Sequence, residues 1–235
     1  MKRGRPLVLA VAGFDPSGRA GLLADAWAIA QSGGAPLGVV TALTAQGARF
    51  VCAAVEPRRV RQQLDAALDS GPVAAVKLGM VPDRRTLAQI VAALSRGGVP
   101  VVIDPVVRTS KGQRLSSLDP RDYLRLGSQL QRAVLTPNRR ELAWLGQSAA
   151  GLLELGFEGV IVKGSSSAVD EVASAAGQWV LRGARLPRST LHHRGTGCRF
   201  GSGVAARLAH GEDLITAARS ARRLVRKFLS GPILP

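Results

Sequence analysis

What this sequence lacks already narrows its chemistry. Of 235 residues only two are cysteine, Cys52 and Cys198. They supply no disulfide framework and no metal-ligand spacing, which predicts a reducing, cytoplasmic setting, with Cys52 as a small core residue. Aromatics make up 4% of the chain, so no basic strip interleaved with stacking rings is available to grip a nucleic acid. The apolar run after the basic Met1-Lys2-Arg3-Gly4-Arg5-Pro6 ends at Gly13, too short for a signal peptide or a membrane helix. Acidic residues are also scarce, 16 against 32 basic, for a formal net charge of +16. Lysine occurs five times, so arginine carries that charge. Arg58, Arg59, Arg61, Arg84, Arg85, Arg139, Arg140, Arg222, Arg223 and Arg226 are scattered over the expected helices. That dispersal reads as a solvated basic surface with no nucleic-acid partner, although its field favours small anionic substrates.

What is present is 46% apolar residues, arranged as short β-branched runs alternating with longer Ala/Leu-rich amphipathic stretches. This is the pattern of a parallel sheet with crossover helices, and the length suits one α/β domain over residues 1–235. Strands are expected at Pro6–Gly13, Gly38–Leu43, Ala74–Leu78, Val99–Asp104, Ala133–Thr136 and Gly159–Lys163, with Val99–Asp104 central because it is apolar on both faces. Helices are expected at Ala20–Ser32, Pro57–Ser70, Arg84–Arg96, Pro120–Gln131 and Ala149–Leu155, closing with Cys198–His210 and Leu214–Leu229. Val169–Ser174 and Trp179–Ala184 read as an antiparallel hairpin turning at Ala176-Gly177 at one edge.

In an open α/β sheet, ligands gather where strands end at their carboxyl side. There the chain places Gly13-Phe14-Asp15-Pro16-Ser17-Gly18-Arg19-Ala20-Gly21 with Asp25, then Thr44-Ala45-Gln46, Gly79-Met80, Asp104-Pro105-Val106-Val107, Thr136-Pro137-Asn138 with Glu141, and Lys163-Gly164. The last crossover ends in Arg194-Gly195-Thr196-Gly197-Cys198. Gly195 and Gly197 let backbone amides turn inward at a helix start, which makes an anion hole for a phosphate in flight. Cys198 at that helix start should have a lowered pKa and could take a proton from a substrate hydroxyl. Lys77 reads as a solvated or structural lysine at a strand end.

Read in order, these motifs resemble the ribokinase-like superfamily, three α/β/α layers around a mostly parallel sheet. Within it they are most similar to the hydroxymethylpyrimidine/phosphomethylpyrimidine kinases of thiamin biosynthesis. The resemblance rests on Ala12–Gly18, Ala20-Gly21, Ala24-Asp25, Thr41–Gln46, Lys77–Met80, Asp104–Val106, Thr136–Asn138 with Glu141, Val162–Gly164 and Gly195–Cys198. It implies transfer of the ATP γ-phosphate to the hydroxyl, or to an existing phosphate, of a small aminopyrimidine. Cys198 would be the base within the Gly195, Thr196, Gly197 anion hole, and Lys163, Asn138 and Thr196 would hold the nucleotide. Asp104 and Glu141 would orient the waters of Mg²⁺, with Asn138 holding Glu141 or a phosphate-bound water. Gln46 and Asp25 would read the pyrimidine edge between walls of Gly13, Met80 and Val107. Asp25 also reads as an ordinary first-turn helix acid, Met80 as core and Gln46 as a loop residue.

The resemblance further implies a homodimer, with neither nucleic acid nor membrane as partner. Departures from it are Arg19 beside Gly18, where it could grip a substrate phosphate or block the pocket, and Leu191–Arg194 before the anion hole. Arg199-Phe200-Gly201 after the hole puts bulk beside the expected nucleotide, Ser165–Ser167 follow Lys163-Gly164, and the stretch between Glu141 and Gly159 is short. They leave open a catalytically impaired relative that binds a pyrimidine or its phosphate, and a pyridoxal kinase.

Overall fold

Alternate burial along the strands generates the architecture. In the computed structural model, which describes residues 4–46, 49–164, 169–183 and 194–230, the first strand β1 is Leu7–Phe14. Its Val8 and Ala10 pack into one apolar layer and its Leu9 and Val11 into another, all of them fully buried. A strand buried on both faces must be sandwiched by helices. The same split separates Val102 from Val101 and Ile103, and Ile161 from Val160 and Val162.

The described strands form one sheet. They are β1, β2 (Ala35–Gln46), β3 (Phe50–Ala54), β4 (Val73–Leu78), β5 (Val101–Ile103), β6 (Ala133–Leu135), β7 (Gly159–Val162), β8 (Val169–Ser174) and β9 (Gly177–Arg182), in the order β3-β2-β1-β4-β5-β6-β7-β8-β9. The inner pairs from β2 to β7 run parallel, and β5 lies at the centre. One face is covered by α1 (Gly21–Gln31), α8 (Thr196–Ala209) and α9 (Leu214–Ser230). The other is covered by α2 (Pro57–Asp69), α3 (Arg84–Leu94), α4 (Pro120–Leu124), α5 (Leu126–Gln129), α6 (Arg139–Leu145) and α7 (Ala149–Glu154).

Several expectations are corrected. Antiparallel pairing occurs at both edges: besides the β8–β9 hairpin, β3 pairs antiparallel with β2. β3 is an apolar run, Phe50–Ala54, whose residues are half-buried or exposed, Val51 among them, and it is not among the expected strands. Cys52, on β3, is only half-buried, its Sγ 3.8 Å from the Leu115 carbonyl, so it is not a core residue. The hairpin turns one residue earlier, Ser174 pairing directly with Gly177. The expected helix at Pro120–Gln131 breaks at Arg125 into α4 and α5. The short stretch after Asn138 holds two helices, because Asn138 and Glu141 form a reciprocal capping box that starts α6. Ala184, Ser165–Ser167 and Leu191–His193 lie outside the described residues.

Ile103 fills both this central position and the core beneath it. Ile103→Ala should lower stability by about 2–5 kcal/mol, seen as a lower urea midpoint with an unchanged slope. A loss below about 1 kcal/mol would show that the centre of the sheet can collapse around the gap.

Candidate active site

Helix α8 lies with its first turns across the strand ends, and the residues that permit this are glycines. Gly195, which caps the helix, has φ of +76°, and a Cβ there would stand 1.9 Å from the Arg19 carbonyl oxygen. A Cβ on Gly197 would be 3.3 Å from Asp104 Oδ2 and 3.4 Å from Lys163 Nζ. The first turn of α8 therefore packs at Gly197 against the ion pair between Lys163 after β7 and Asp104 after β5, whose Nζ–Oδ1 distance is 2.5 Å. Thr196 begins the helix and is partly exposed. Glu141 joins the cluster electrostatically: burial pushes its carboxyl up and Lys163 pulls it back. One Glu141 oxygen accepts from the Asn138 N–H at 2.7 Å, while Asn138 Oδ1 accepts from the N–H groups of Arg140 and Glu141. Asn138 thus holds Glu141, as one of its two expected roles required, and does so as a helix cap.

A second lysine–acid pair lies deeper. Lys77 donates to Asp25 Oδ2 at 3.0 Å, and Ser202 donates to Asp25 Oδ1 at 2.8 Å, all three fully buried. Asp25 is therefore committed to protein partners beneath the site, not free to read a ligand edge, and Lys77 is structural and not solvated. Burial alone pulls the Lys77 ammonium down, but Asp25 and then Cys198 and Asp104 outweigh it and hold it above the usual lysine range. Burial pushes the Asp25 carboxyl up against the pull of Lys77. The two directions agree physically: acids outnumber cations here, so the cluster retains protons.

Cys198 sits between the pairs, on the α8 face that also carries Ser202 one turn on. Its thiol is pushed above the ordinary range by burial, which outweighs the pull of Lys77 and of the Gly21 N–H. This corrects the expectation of a lowered pKa: the helix terminus is present, but desolvation wins. Arg199 and Phe200 also fall elsewhere than expected. Arg199 is buried with its guanidinium 3.8 Å from the Phe228 ring centre and 5.4 Å from that of Trp27, and it donates to the Arg19 and Gly18 carbonyls. Phe200 packs into the core with α1 and α9. Small Gly201 faces Lys77 instead, so the bulk is turned away from the strand ends.

The remaining expected residues form a mouth. Met80 is buried, with Thr41 Oγ1 donating to its carbonyl at 2.7 Å. Gly13 lies against the Met80 sulfur. Val107 is partly buried, and its carbonyl accepts from Leu115 N–H, closing a short hairpin. A small polar cavity is lined by Gln46, Thr109, Ser110, Lys111, Gln113 and Arg194. Arg194 donates to Asp15 Oδ2 at 2.9 Å and to Gln46 Oε1. Arg19 is exposed, and it is its carbonyl that the fold uses. Sequence reasoning missed Ser202 and Arg194 as site residues. The four-residue spacing from Cys198 would have found Ser202; a contact between residues 46 and 194 leaves no local signal.

The sequence model of the phosphomethylpyrimidine kinase family matches residues 15–233. A hydroxymethylpyrimidine/phosphomethylpyrimidine kinase of Streptomyces coelicolor is 33% identical over 236 residues, spanning 94% of this chain and 87% of that protein. The solved phosphomethylpyrimidine kinase of Clostridium difficile superposes with a TM-score of 0.79 at 25% identity, covering 96% of this chain and 100% of that one. The pyridoxal kinase of Staphylococcus aureus in complex with AMP-PCP gives 0.84 at 23% identity, covering 97% and 89%. At that identity the likeness speaks for the fold.

Lys77→Met should cost about 3–5 kcal/mol by stranding the Asp25 carboxylate. The folded-state pKa of Asp25, already raised by burial, rises further without its cation. Stability is then fully present only below the unfolded carboxylate pKa and is lost as pH rises through the folded one. Urea denaturation should therefore find the variant weaker at pH 8 than at pH 5, with Asp25→Asn restoring much of the loss. Equal losses at both pH values would mean that Asp25 is not the stranded charge.

Proposed function

This chain belongs to the phosphomethylpyrimidine kinase family and is a phosphotransferase; we propose that it moves the ATP γ-phosphoryl group to 4-amino-5-hydroxymethyl-2-methylpyrimidine or to its monophosphate. The observation that carries this reading is the start of α8 resting on the Asp104–Lys163 pair with Cys198 beside it. Phosphoryl transfer asks mainly for positioning and for neutralisation of the negative charge on the equatorial oxygens. Backbone N–H groups at Gly195–Cys198 and the Lys163 ammonium are suited to that. The bulk of Arg199 and Phe200 lies away from the strand ends, which removes the steric argument against a bound nucleotide.

Among the described residues, no group of three or more His, Cys, Asp or Glu side chains could hold a metal unaided. Asp104 has one oxygen on Lys163 and the other beside Gly197, while Glu141 has one oxygen on Asn138. That donor set fits Mg²⁺ arriving with a nucleotide, which needs one or two carboxylates and keeps its waters. Bound there, the ion would neutralise charge on the phosphates. Asp104 and Glu141 would orient its waters, and Asn138 would fix Glu141.

Cys198 is the base in this reading, taking the substrate hydroxyl proton between two ammonium groups, and Gln46, Met80, Gly13 and Val107 enclose the ring. Asp25 acts from beneath, through Lys77 and Ser202. Arg19, exposed on the first loop, meets the phosphate of the monophosphate.

Cys198→Ala should lower kcat by about 10²-fold or more with little change in KM, measured in a coupled ADP-release assay. Because burial raises the thiol pKa and the base acts deprotonated, wild-type kcat/KM should climb as pH rises past neutrality, and the climb should vanish in the variant. Unchanged turnover in Cys198→Ala would remove the thiol as the base. Arg19→Gly should raise KM for the monophosphate severalfold more than for the free alcohol; equal changes would remove Arg19 from phosphate binding.

A further inference from the structure

The mouth contains a chain of hydrogen bonds whose direction is forced at both ends. Asp15 is buried, and its Oδ1 accepts from the Ser17 N–H and hydroxyl at 3.1 and 2.8 Å. Its Oδ2 accepts from Arg194 Nη2, which also donates to Gln46 Oε1. Gln46 Nε2 lies 3.4 Å from Thr44 Oγ1, which donates to the Phe14 carbonyl at 3.1 Å. A guanidinium can only donate and a backbone carbonyl can only accept. The Gln46 amide therefore cannot flip: its oxygen must face Arg194 and its NH₂ must face the other way. One N–H serves Thr44, and the second is left for the small cavity that Gln46 and Arg194 help to line.

We propose that Arg194 is a specificity-determining positioning residue that locks the Gln46 amide so that it presents an N–H donor, selecting ligands with an unprotonated ring nitrogen at that point. The inference rests on the pyrimidine reading for the identity of the ligand, but the lock itself belongs to the ligand-free protein. Asp15 is part of the device: its carboxylate holds the guanidinium, and Ser17 holds the carboxylate. A ring carbon in place of the nitrogen acceptor leaves the N–H unpaired on binding, which is how a site built around a donor rejects the wrong ligand.

The test uses the full chain and three variants: Arg194→Met, which removes the lock, Arg194→Lys, which keeps a donor-only cation, and Gln46→Glu, which keeps the ion-pairing end but deletes the donor. In the free protein, the side-chain ¹H–¹⁵N pair of Gln46, assigned by its loss in Gln46→Glu, should give two well-separated resonances. They should move together and broaden in Arg194→Met and be largely kept in Arg194→Lys. With ligands, the hydroxymethylpyrimidine and the two analogues bearing CH in place of one ring nitrogen are compared. Wild type should reject one analogue by about tenfold or more in KM. Arg194→Met should lose most of that discrimination, read in KM more than in kcat, as expected when ground-state positioning is lost, and Gln46→Glu should lose all of it.

An unmoved Gln46 amide pair, or full discrimination in Arg194→Met, overturns the proposal. If wild type binds none of the three ligands while the amide pair still responds to Arg194→Met, the lock stands and the pyrimidine reading falls.

Discussion

The close approach of helix α8 to the carboxyl ends of the central strands is the constraint on which the rest of this molecule depends. A helix of ordinary side chains could not bring its first turn this close to the Asp104–Lys163 pair. Gly195 makes the turn that the Arg19 carbonyl would otherwise block, Gly197 rests on the pair, and Gly201 clears Lys77 one turn later. Gly197 and Gly201, four residues apart, share one face of the helix. The next face, offset by one residue, carries Cys198 and Ser202 toward Asp25. One helix therefore brings its N-terminal turn to the Asp104–Lys163 pair and its Cys198 and Ser202 toward the buried Asp25.

Charge is arranged with equal economy. Two lysines and two aspartates alternate around Cys198, and because the deeper pair is wholly buried it cannot be relaxed by water. Removing one partner would leave the other in a medium that penalises it by several kcal/mol. Such a cluster is costly for stability compared with an apolar core, so its presence beneath strand ends is itself an argument for chemistry above it. The raised thiol follows from the same desolvation, which outweighs the pull of Lys77.

Much of this was legible in the sequence because it is local. Parallel strands announced themselves as β-branched runs, and strand-end residues such as Asp104, Lys163 and the Gly195–Cys198 turn followed from the rule that sites lie where strands stop. Contacts joining distant segments were not legible. Asp25 looked like a ligand-reading acid because nothing local reveals that Lys77 and Ser202 take both its oxygens. The lowered thiol pKa was inferred from a helix terminus alone, while burial is a property of the whole fold. β3 escaped although Phe50–Ala54 is an apolar run, because its pairing partner and its half-exposed edge position are set by the fold and not by the run itself.

Arg199 shows how a residue that looks obstructive can be absorbed. In the first turn of α8 it would crowd a phosphate if it followed the face of Gly197. It turns instead to the opposite side, where the rings of Phe228 from α9 and Trp27 from α1 receive the guanidinium. Stacking on aromatic faces compensates a cation for lost hydration in a way that a lysine ammonium would not match. Its two Nη groups bond to the carbonyls of Gly18, Arg19 and Gly195, while Nε has no partner among the described residues. An unpaired buried N–H is a cost that a simpler side chain would avoid. What offsets it is a physical link: the glycine loop after β1, the start of α8 and the end of α9 share one guanidinium. The loop carrying Asp15 and the start of α8 are thereby held in fixed relation by the same residue that looked obstructive.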